Sequence, residues 1–372
     1  DWVKGVVQLE IDQILGAEKK DGSKSYADFK ADQAGKLEIK NAYIDAKVKA
    51  VKGLGIKGGI FGYKFKGIVS ADIPGGLIYY KNKKVGVGVN LFVFKTGEGD
   101  KKRTEDDVTM FGFDVTYKNK MFKIKAGLIA AQAGKAASIH DGDAGVKNLA
   151  DAMGIYPGLN FDLSMGKLFA GLKFAYASAK DEFSATKVEY SGMFFDLEVG
   201  YKINKMIKVS AFFTMVSGDD ESKTKENGSY HDASIGGIDD AGIGRLLIWE
   251  EAGNGGDSTV ADITGTSYED NQGYMAFGIS AEAKVLGFSA LLNIGYIMAA
   301  AEDKSATPAK ETAAGIEIDL QLAYEIAPSA KIFMDFAMLA ASDAFKTKGV
   351  YSAGTDSIES PMAFMLGMKI KL

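Results

Sequence analysis

The stretch that decides the fold runs from residue 108 to residue 117 and reads Val-Thr-Met-Phe-Gly-Phe-Asp-Val-Thr-Tyr. Alternate residues of a β-strand share one face, so Phe111, Phe113 and Tyr117 fall on an apolar face and Asp114 falls on the opposite one. A helical period of about 3.6 residues does not fit this pattern. About ten residues is also the length that a tilted strand needs to cross a membrane. The stretch therefore predicts a membrane-spanning β-strand.

The same alternation recurs along the whole chain. One run places Leu197 opposite Glu198, and another places Leu320 opposite Asp319. Sixteen such segments are predicted, at 3–12, 36–50, 54–66, 75–82, 84–96, 107–118, 121–134, 154–165, 167–180, 187–202, 204–217, 272–285, 287–300, 311–326, 329–342 and 358–372. The pattern predicts an all-β fold, a transmembrane antiparallel up-and-down β-barrel of about 16 strands that occupies residues 1–372 as one domain.

The connections between these segments alternate between tight turns and longer polar stretches. The longer ones are predicted at 13–35, 67–74, 97–106, 135–153, 181–186, 218–271, 301–310 and 343–357. Outer-membrane barrels have this asymmetry, with short periplasmic turns and longer extracellular loops. A large soluble β protein or a β-solenoid is the alternative. Segments of ten or more residues disfavour a soluble sandwich, whose strands average five or six residues, and no fixed repeat indicates a solenoid.

Composition excludes several classes of function. A net charge of −5 leaves no strongly basic face for nucleic acid. The chain has no Cys and two His, and neither His140 nor His231 has a nucleophile that can be placed beside it, so we expect no enzyme. No run of about 18 apolar residues predicts a transmembrane helix. If the protein is exported, we expect this sequence to be the mature form after removal of a leader.

The layout resembles the sixteen-stranded general porins of bacterial outer membranes over nearly all of the chain, through its pattern and without a sequence motif. The segment Ser217-Gly-Asp-Asp220 is similar to a segment of alginate-export-type barrels. The resemblance implies contact with outer-membrane lipid and lipopolysaccharide, passage of small polar solutes or ions, and a homo-oligomer such as a trimer. Two features depart from porins: Leu372 replaces a terminal Phe, and the third long connection is too short to constrict a pore.

The alternation of side chains along each strand places a set of charged residues on the face opposite the apolar one, which is the face towards the lumen. The predicted pore-lining residues are Asp45, Lys47, Lys49, Asp114, Lys123, Lys125, Asp162, Lys173, Asp196, Glu198, Glu317 and Asp319. Basic side chains dominate in the N-terminal half and acidic ones later, so the two walls could set a transverse field that sorts ions. The alternative is that these residues are simply the wetted face of a barrel. Asp114, Glu198 and Asp319 are expected to face water.

Residues 218–271 form the only segment long enough to constrict the lumen. Within it, residues 243–249 (Ile-Gly-Arg-Leu-Leu-Ile-Trp) are more apolar than a solvated loop should be. The constriction residues are predicted to be Arg245, Trp249, Glu250 and Glu251. A subunit contact or a self-packed loop is the alternative. No cofactor is expected, apart from Ca²⁺ at the acidic loop residues Asp141, Asp143, Asp219, Asp220, Asp239 and Asp240, which are otherwise ordinary solvated carboxylates.

Three functions fit these observations. The first is a porin for passive diffusion of small hydrophilic solutes or ions, with a bias to cations suggested by the acidic loops and a pI near 5.4. The second is a substrate-selective export or uptake barrel, for an anionic polysaccharide or another ligand, which would need a basic ladder through the lumen. The third is a structural or adhesive outer-membrane protein with a blocked lumen.

Overall fold

A computed structural model of the chain describes the residues that form the barrel wall and a few residues of the connections. The described residues are 2–12, 36–96, 108–133, 153–180, 189–219, 226–228, 230, 246, 273–301, 313–328, 330–341 and 362–370. Within these segments every element of regular secondary structure is a β-strand. No helix in this part of the chain is long and apolar enough to span a membrane.

The described residues form seventeen strands, of which sixteen are long. They are β1 (Val3–Asp12), β2 (Lys36–Lys47), β3 (Leu54–Phe65), β4 (Val69–Asn82), β5 (Val87–Thr96), β6 (Val108–Lys118), β7 (Phe122–Ala133), β8 (Met153–Met165), β9 (Leu168–Lys180), β10 (Glu189–Lys202), β11 (Ile207–Val216), β12 (Glu226–Asn227), β13 (Tyr274–Val285), β14 (Phe288–Ala299), β15 (Ala313–Ala327), β16 (Ala330–Ala341) and β17 (Met362–Ile370). The two-residue strand β12 lies parallel to the start of β10.

Each long strand pairs antiparallel with the next long strand along the chain, from β1 to β17, and β11 pairs directly with β13. This is the up-and-down order of an antiparallel barrel. The predicted fold class is therefore confirmed, because sixteen long strands follow one another in one sheet. Most predicted segments agree with the observed strands to within three residues at each end.

The two faces of the wall differ as the alternation predicts. On the outer face Phe113 is 43% exposed and Val199 is 51% exposed, although both are large and apolar. On the inner face Asp114, Asp196 and Glu317 are all buried. An apolar surface around a polar interior is the arrangement of a barrel whose outer surface faces lipid.

One connection differs from its prediction. Residues 67–74 were expected to form a polar loop, but β4 begins at Val69 and pairs with β3 from Val69 opposite Phe65 onwards. Only residues 66–68 join the two strands. The prediction was wrong because these residues continue the β3–β4 hairpin, whose end leaves the barrel wall and lies inside the barrel.

Candidate functional site

The outer part of the β3–β4 hairpin leaves the barrel wall. Strand β3 pairs with β2 only as far as Ile60, opposite Ala42. Strand β4 pairs with β5 only from Gly75, opposite Phe94. Beyond those points residues 61–65 and 69–74 form ladder pairs only with each other. We call residues 61–74 the inner hairpin.

Four glycines mark the level at which the inner hairpin leaves the wall. Gly58 lies opposite Gly76, and Gly59 lies opposite Gly75. Gly59 has a φ of +125°, where an L-residue is strained, and a Cβ on it would overlap the carbonyl oxygen of Ala42. The residue that precedes Gly75 in β4 is Pro74, which has no N–H to donate to β5. The local sequence thus bends both strands and ends the pairing at the same height.

The inner hairpin crosses the lumen and packs against the far wall. A Cβ on Gly158 of β8 would lie 2.5 Å from Cδ1 of Ile68, and a Cβ on Gly127 of β7 would lie 2.9 Å from the ring of Phe65. Strands β3 and β8 are five positions apart, which is about 24 Å along the wall. Contact over that separation must pass through the barrel interior. The two glycines leave the space that Phe65 and Ile68 occupy, and both of those side chains are fully buried.

A polar cluster fixes the base of the inner hairpin to strands β5 to β7. The Tyr63 hydroxyl donates to Oδ2 of Asp114 over 2.6 Å, and the Asn90 amide donates to Oδ1 over 2.9 Å. Lys125 Nζ lies 3.4 Å from Oδ2 of Asp114 and donates to the backbone carbonyl of Lys64 over 2.8 Å. Asp114 is therefore a buried carboxylate whose charge is balanced by Lys125 and whose two oxygens accept hydrogen bonds from two neutral donors.

The opposite face of the inner hairpin is exposed. Gly62, Lys64 and Lys66 alternate with the buried Tyr63 and Phe65 and remain accessible. The next residue, Gly67, lies against the inner wall, since a Cβ on it would lie 2.6 Å from the ring of Phe194 on β10. Lys66 therefore lies in the lumen.

The wall from β10 to β16 is polar and acidic on its inner face. Asp196 forms an ion pair with Lys173 at 2.7 Å and accepts a hydrogen bond from the Thr214 hydroxyl at 3.1 Å. Glu198 accepts a hydrogen bond from the Ser210 hydroxyl at 2.7 Å. The other buried polar residues of this wall are Asn293, Glu317, Asp319, Gln321 and Asp335.

Two residues of the longest connection also lie inside the barrel. The Tyr230 hydroxyl donates to the carbonyl oxygen of Gly67, and its ring lies 6.0 Å from that of Phe194. Leu246 is fully buried, and a Cβ on Gly295 of β14 would lie 2.9 Å from its Cδ1. The predicted constriction residues in this connection lie outside the described residues, namely Arg245, Trp249, Glu250 and Glu251.

The predicted pore-lining residues lie on the inner face but differ in exposure. Asp114 and Asp319 are fully buried, so the expectation that they face water is wrong for both. Asp114 is covered by Tyr63 of the inner hairpin and by Lys125. Lys123 and Asp162, nearer the short turns, are exposed and lie opposite each other on β7 and β8. The inner face is therefore more accessible near the short turns than at the level of Asp114.

The remaining predicted residues lie near the short-turn end. Asp45 accepts a hydrogen bond from the Tyr79 hydroxyl over 2.5 Å. Lys47 is the last residue of β2, and Lys49 lies beyond it, with Nζ 4.9 Å from the centre of the Trp2 ring. Among the candidate Ca²⁺ ligands only Asp219 is described, and it accepts a hydrogen bond from the Gly228 backbone N–H. The described part of the chain contains no cluster of three metal-ligating side chains.

The inner hairpin was not predicted from the sequence, although the residues that form it carry a signal. In most strands the outward positions are apolar and the inward positions are polar. In residues 61–66 the inward positions hold Phe61, Tyr63 and Phe65, while Lys64 and Lys66 take the outward positions. This inversion of the pattern indicates a segment that does not lie in the lipid-facing wall.

Solved structures share this fold. OccK9 (OpdG) of Pseudomonas aeruginosa aligns with a TM-score of 0.51 at 12% identity, over 99% of this chain and 85% of that one. OccK11 (OpdR) of the same organism aligns with a TM-score of 0.50 at 12% identity, over 91% and 82%. OccK5 (OpdH) aligns with a TM-score of 0.50 at 11% identity, over 91% and 83%. No family model and no curated protein sequence matches the chain. The similarity shows the fold, an all-β antiparallel up-and-down barrel of sixteen long strands.

Proposed function

We propose that the chain is a bacterial outer-membrane channel for the passive diffusion of small hydrophilic solutes or ions, and that the inner hairpin narrows its lumen. The observation that carries the proposal is the hairpin itself, which departs from the wall at Gly59 and Gly75 and contacts Gly158 on the other side. It occupies the interior of a barrel whose remaining inner wall carries buried polar and acidic side chains among apolar ones. Sixteen strands enclose more space than wall side chains alone can fill.

The route for solutes lies between two differently charged surfaces. One is the exposed face of the inner hairpin with Lys64 and Lys66, and the other is the inner wall near Glu198 and Ser210. Opposed charges across a narrow, low-dielectric passage act on permeating ions more strongly than charges in bulk water. Lys64 and Lys66 therefore join Glu198 among the proposed pore-lining residues.

Single-channel conductance in a planar bilayer tests the proposal. Residues 60–74 can be replaced by Asn-Gly, because Gly59 and Gly75 are already paired and a two-residue turn of this type closes a hairpin. We expect the parent to conduct and the shortened variant to conduct more. Replacement of Lys64 and Lys66 by Gln is the matched variant, since it changes charge without removing the hairpin. We expect it to shift the reversal potential in a salt gradient towards cations.

The other outcomes favour other functions. If only the shortened variant conducts, the inner hairpin is a plug, and a structural or gated role replaces passive diffusion. If neither conducts, the chain is not a channel. A trimeric assembly and contact with lipopolysaccharide remain predictions, which cross-linking in native membranes would test.

A further inference from the structure

Three turns at the short-turn rim share one construction. The side-chain oxygens of Asn82, Asn119 and Asn204 each accept hydrogen bonds from two backbone N–H groups, two and three residues further along the chain. Such Asx turns fix the backbone and hold the intervening side chains outwards. Each turn presents a lysine followed by an apolar residue, in the pairs Lys84-Val85, Lys120-Met121 and Lys205-Met206.

The whole short-turn rim is basic. The seven connections at this rim, residues 48–53, 83–86, 119–121, 166–167, 203–206, 286–287 and 328–329, contain seven Lys and no Asp or Glu. We call these lysines the basic collar: Lys49, Lys52, Lys83, Lys84, Lys120, Lys167 and Lys205, all of which are exposed. By contrast, residues 217–273 at the other rim contain thirteen acidic and three basic residues. Charge is thus polarised across a chain whose net charge is only −5.

Apolar and aromatic side chains accompany the basic collar. Val85 is 59% exposed, Met121 50% and Met206 47%. Lys49 lies over Trp2, and Lys167 Nζ lies 5.5 Å from the centre of the outward-facing Tyr201 ring. Aromatic residues of outer-membrane barrels lie at the level of the lipid headgroups. The lysines are therefore placed where an ammonium group meets lipid phosphate.

We propose that the basic collar binds the headgroups of anionic phospholipids in the membrane leaflet next to the short turns. The inference rests on the proposed function only in that the barrel must lie in a membrane. An anionic lipid surface attracts each lysine that lies near it, and this attraction corresponds to about fivefold tighter association for each lysine. The exposed Val85, Met121 and Met206 favour a lipid over a soluble polyanion, because only a lipid also offers acyl chain to cover them.

Trp2 provides a local probe for this binding. The chain contains two Trp, so Trp249→Phe leaves Trp2 beside Lys49 as the single fluorophore. The protein is reconstituted in vesicles of equal parts phosphatidylcholine and phosphatidylglycerol, with bromine on the acyl chains of one lipid at a time. We expect brominated phosphatidylglycerol to quench Trp2 more strongly than brominated phosphatidylcholine at low salt. The preference should decrease at high salt because the charges are screened.

Two variants of the same positions separate charge from structure. Replacing Lys49 and Lys52 by Gln should abolish the preference for phosphatidylglycerol, whereas replacing both by Arg should preserve it. Equal quenching by the two lipids in the parent, or an unchanged preference in the Gln variant, would overturn the inference. Single-channel conductance is measured in parallel on the parent chain that retains Trp249. If the parent conducts but shows no lipid preference, only the basic-collar proposal is wrong. If the parent shows the lipid preference but does not conduct, only the channel proposal is wrong.

Discussion

The Tyr63 hydroxyl and the Asp114 carboxylate are hydrogen-bonded over 2.6 Å, although they belong to strands β3 and β6. Along the wall these strands are about 14 Å apart, because adjacent strands lie about 4.8 Å apart. A tyrosine side chain cannot cover that distance from within the wall. The bond therefore exists only because β3 has left the wall and lies against the inner faces of its neighbours. This hydrogen bond joins the inner hairpin to the barrel wall.

Replacing Tyr63 with Phe should weaken the attachment of the inner hairpin. The variant removes one of three partners of a buried carboxylate, which costs about 1.5–3 kcal/mol for a hydrogen bond to a charged group. The free energy of unfolding in urea, measured in detergent micelles, gives the loss. Tyr117→Phe is the control, because Tyr117 lies on the outer face and its loss should be about 0.5 kcal/mol or less. Equal losses in the two variants would contradict this account.

The glycine pair at the departure point offers a comparison between neighbouring residues. Gly59→Ala places a Cβ against the Ala42 carbonyl oxygen at a φ of +125°, and should destabilise the barrel by about 1–3 kcal/mol. Gly58→Ala is the matched control, since a Cβ there meets nothing within 4 Å. Urea unfolding of the two variants gives both values. If Gly58→Ala is as damaging as Gly59→Ala, the bend does not depend on the glycine at position 59.

The barrel wall could be predicted from the sequence because its physics is local and repeated. A strand between lipid and a polar lumen must alternate, so residues 3–12 were predicted with the observed bounds and Phe113 was placed outside correctly. The short turns followed from the same segments. Charge at the short-turn rim was also present in the sequence, but it acquires meaning only when the topology brings seven separate turns to one edge.

The inner hairpin could not be predicted in the same way because its partners are distant in sequence. The space for Ile68 is created by Gly158, and Tyr230 reaches Gly67 from another connection. A local reading of residues 67–74 shows polar residues, a glycine and a proline, which are typical of a loop. The apolar inward positions in β3 give a local signal, but they do not indicate which strands the hairpin contacts.

The outer face should tolerate charge according to depth. Phe113 is the central residue of β6, so Phe113→Arg places a guanidinium near the midplane and should cost about 2–4 kcal/mol. Thr109→Arg is the matched variant on the same strand and face, close to the long-loop rim, where the cost falls to about 0–1 kcal/mol. Urea unfolding in lipid vesicles measures both. Similar small losses at the two positions would argue against a membrane around this strand.

The longest connection should add to the constriction through Leu246. This side chain is fully buried beside Gly295, which lies directly opposite Glu317 on the next strand, so Leu246 lies inside the barrel. Deleting residues 236–256, which include Leu246 and the predicted constriction residues, should raise single-channel conductance and reduce ion selectivity. The wall pairing should persist, since loops tolerate such changes, and unchanged heat-modified mobility on a gel would verify it.

Leu246→Ser is the smaller companion change, expected to move conductance in the same direction. Unchanged conductance in a folded deletion variant would leave the inner hairpin as the constriction on its own, and loss of an oligomer on a native gel would identify the segment as a subunit contact.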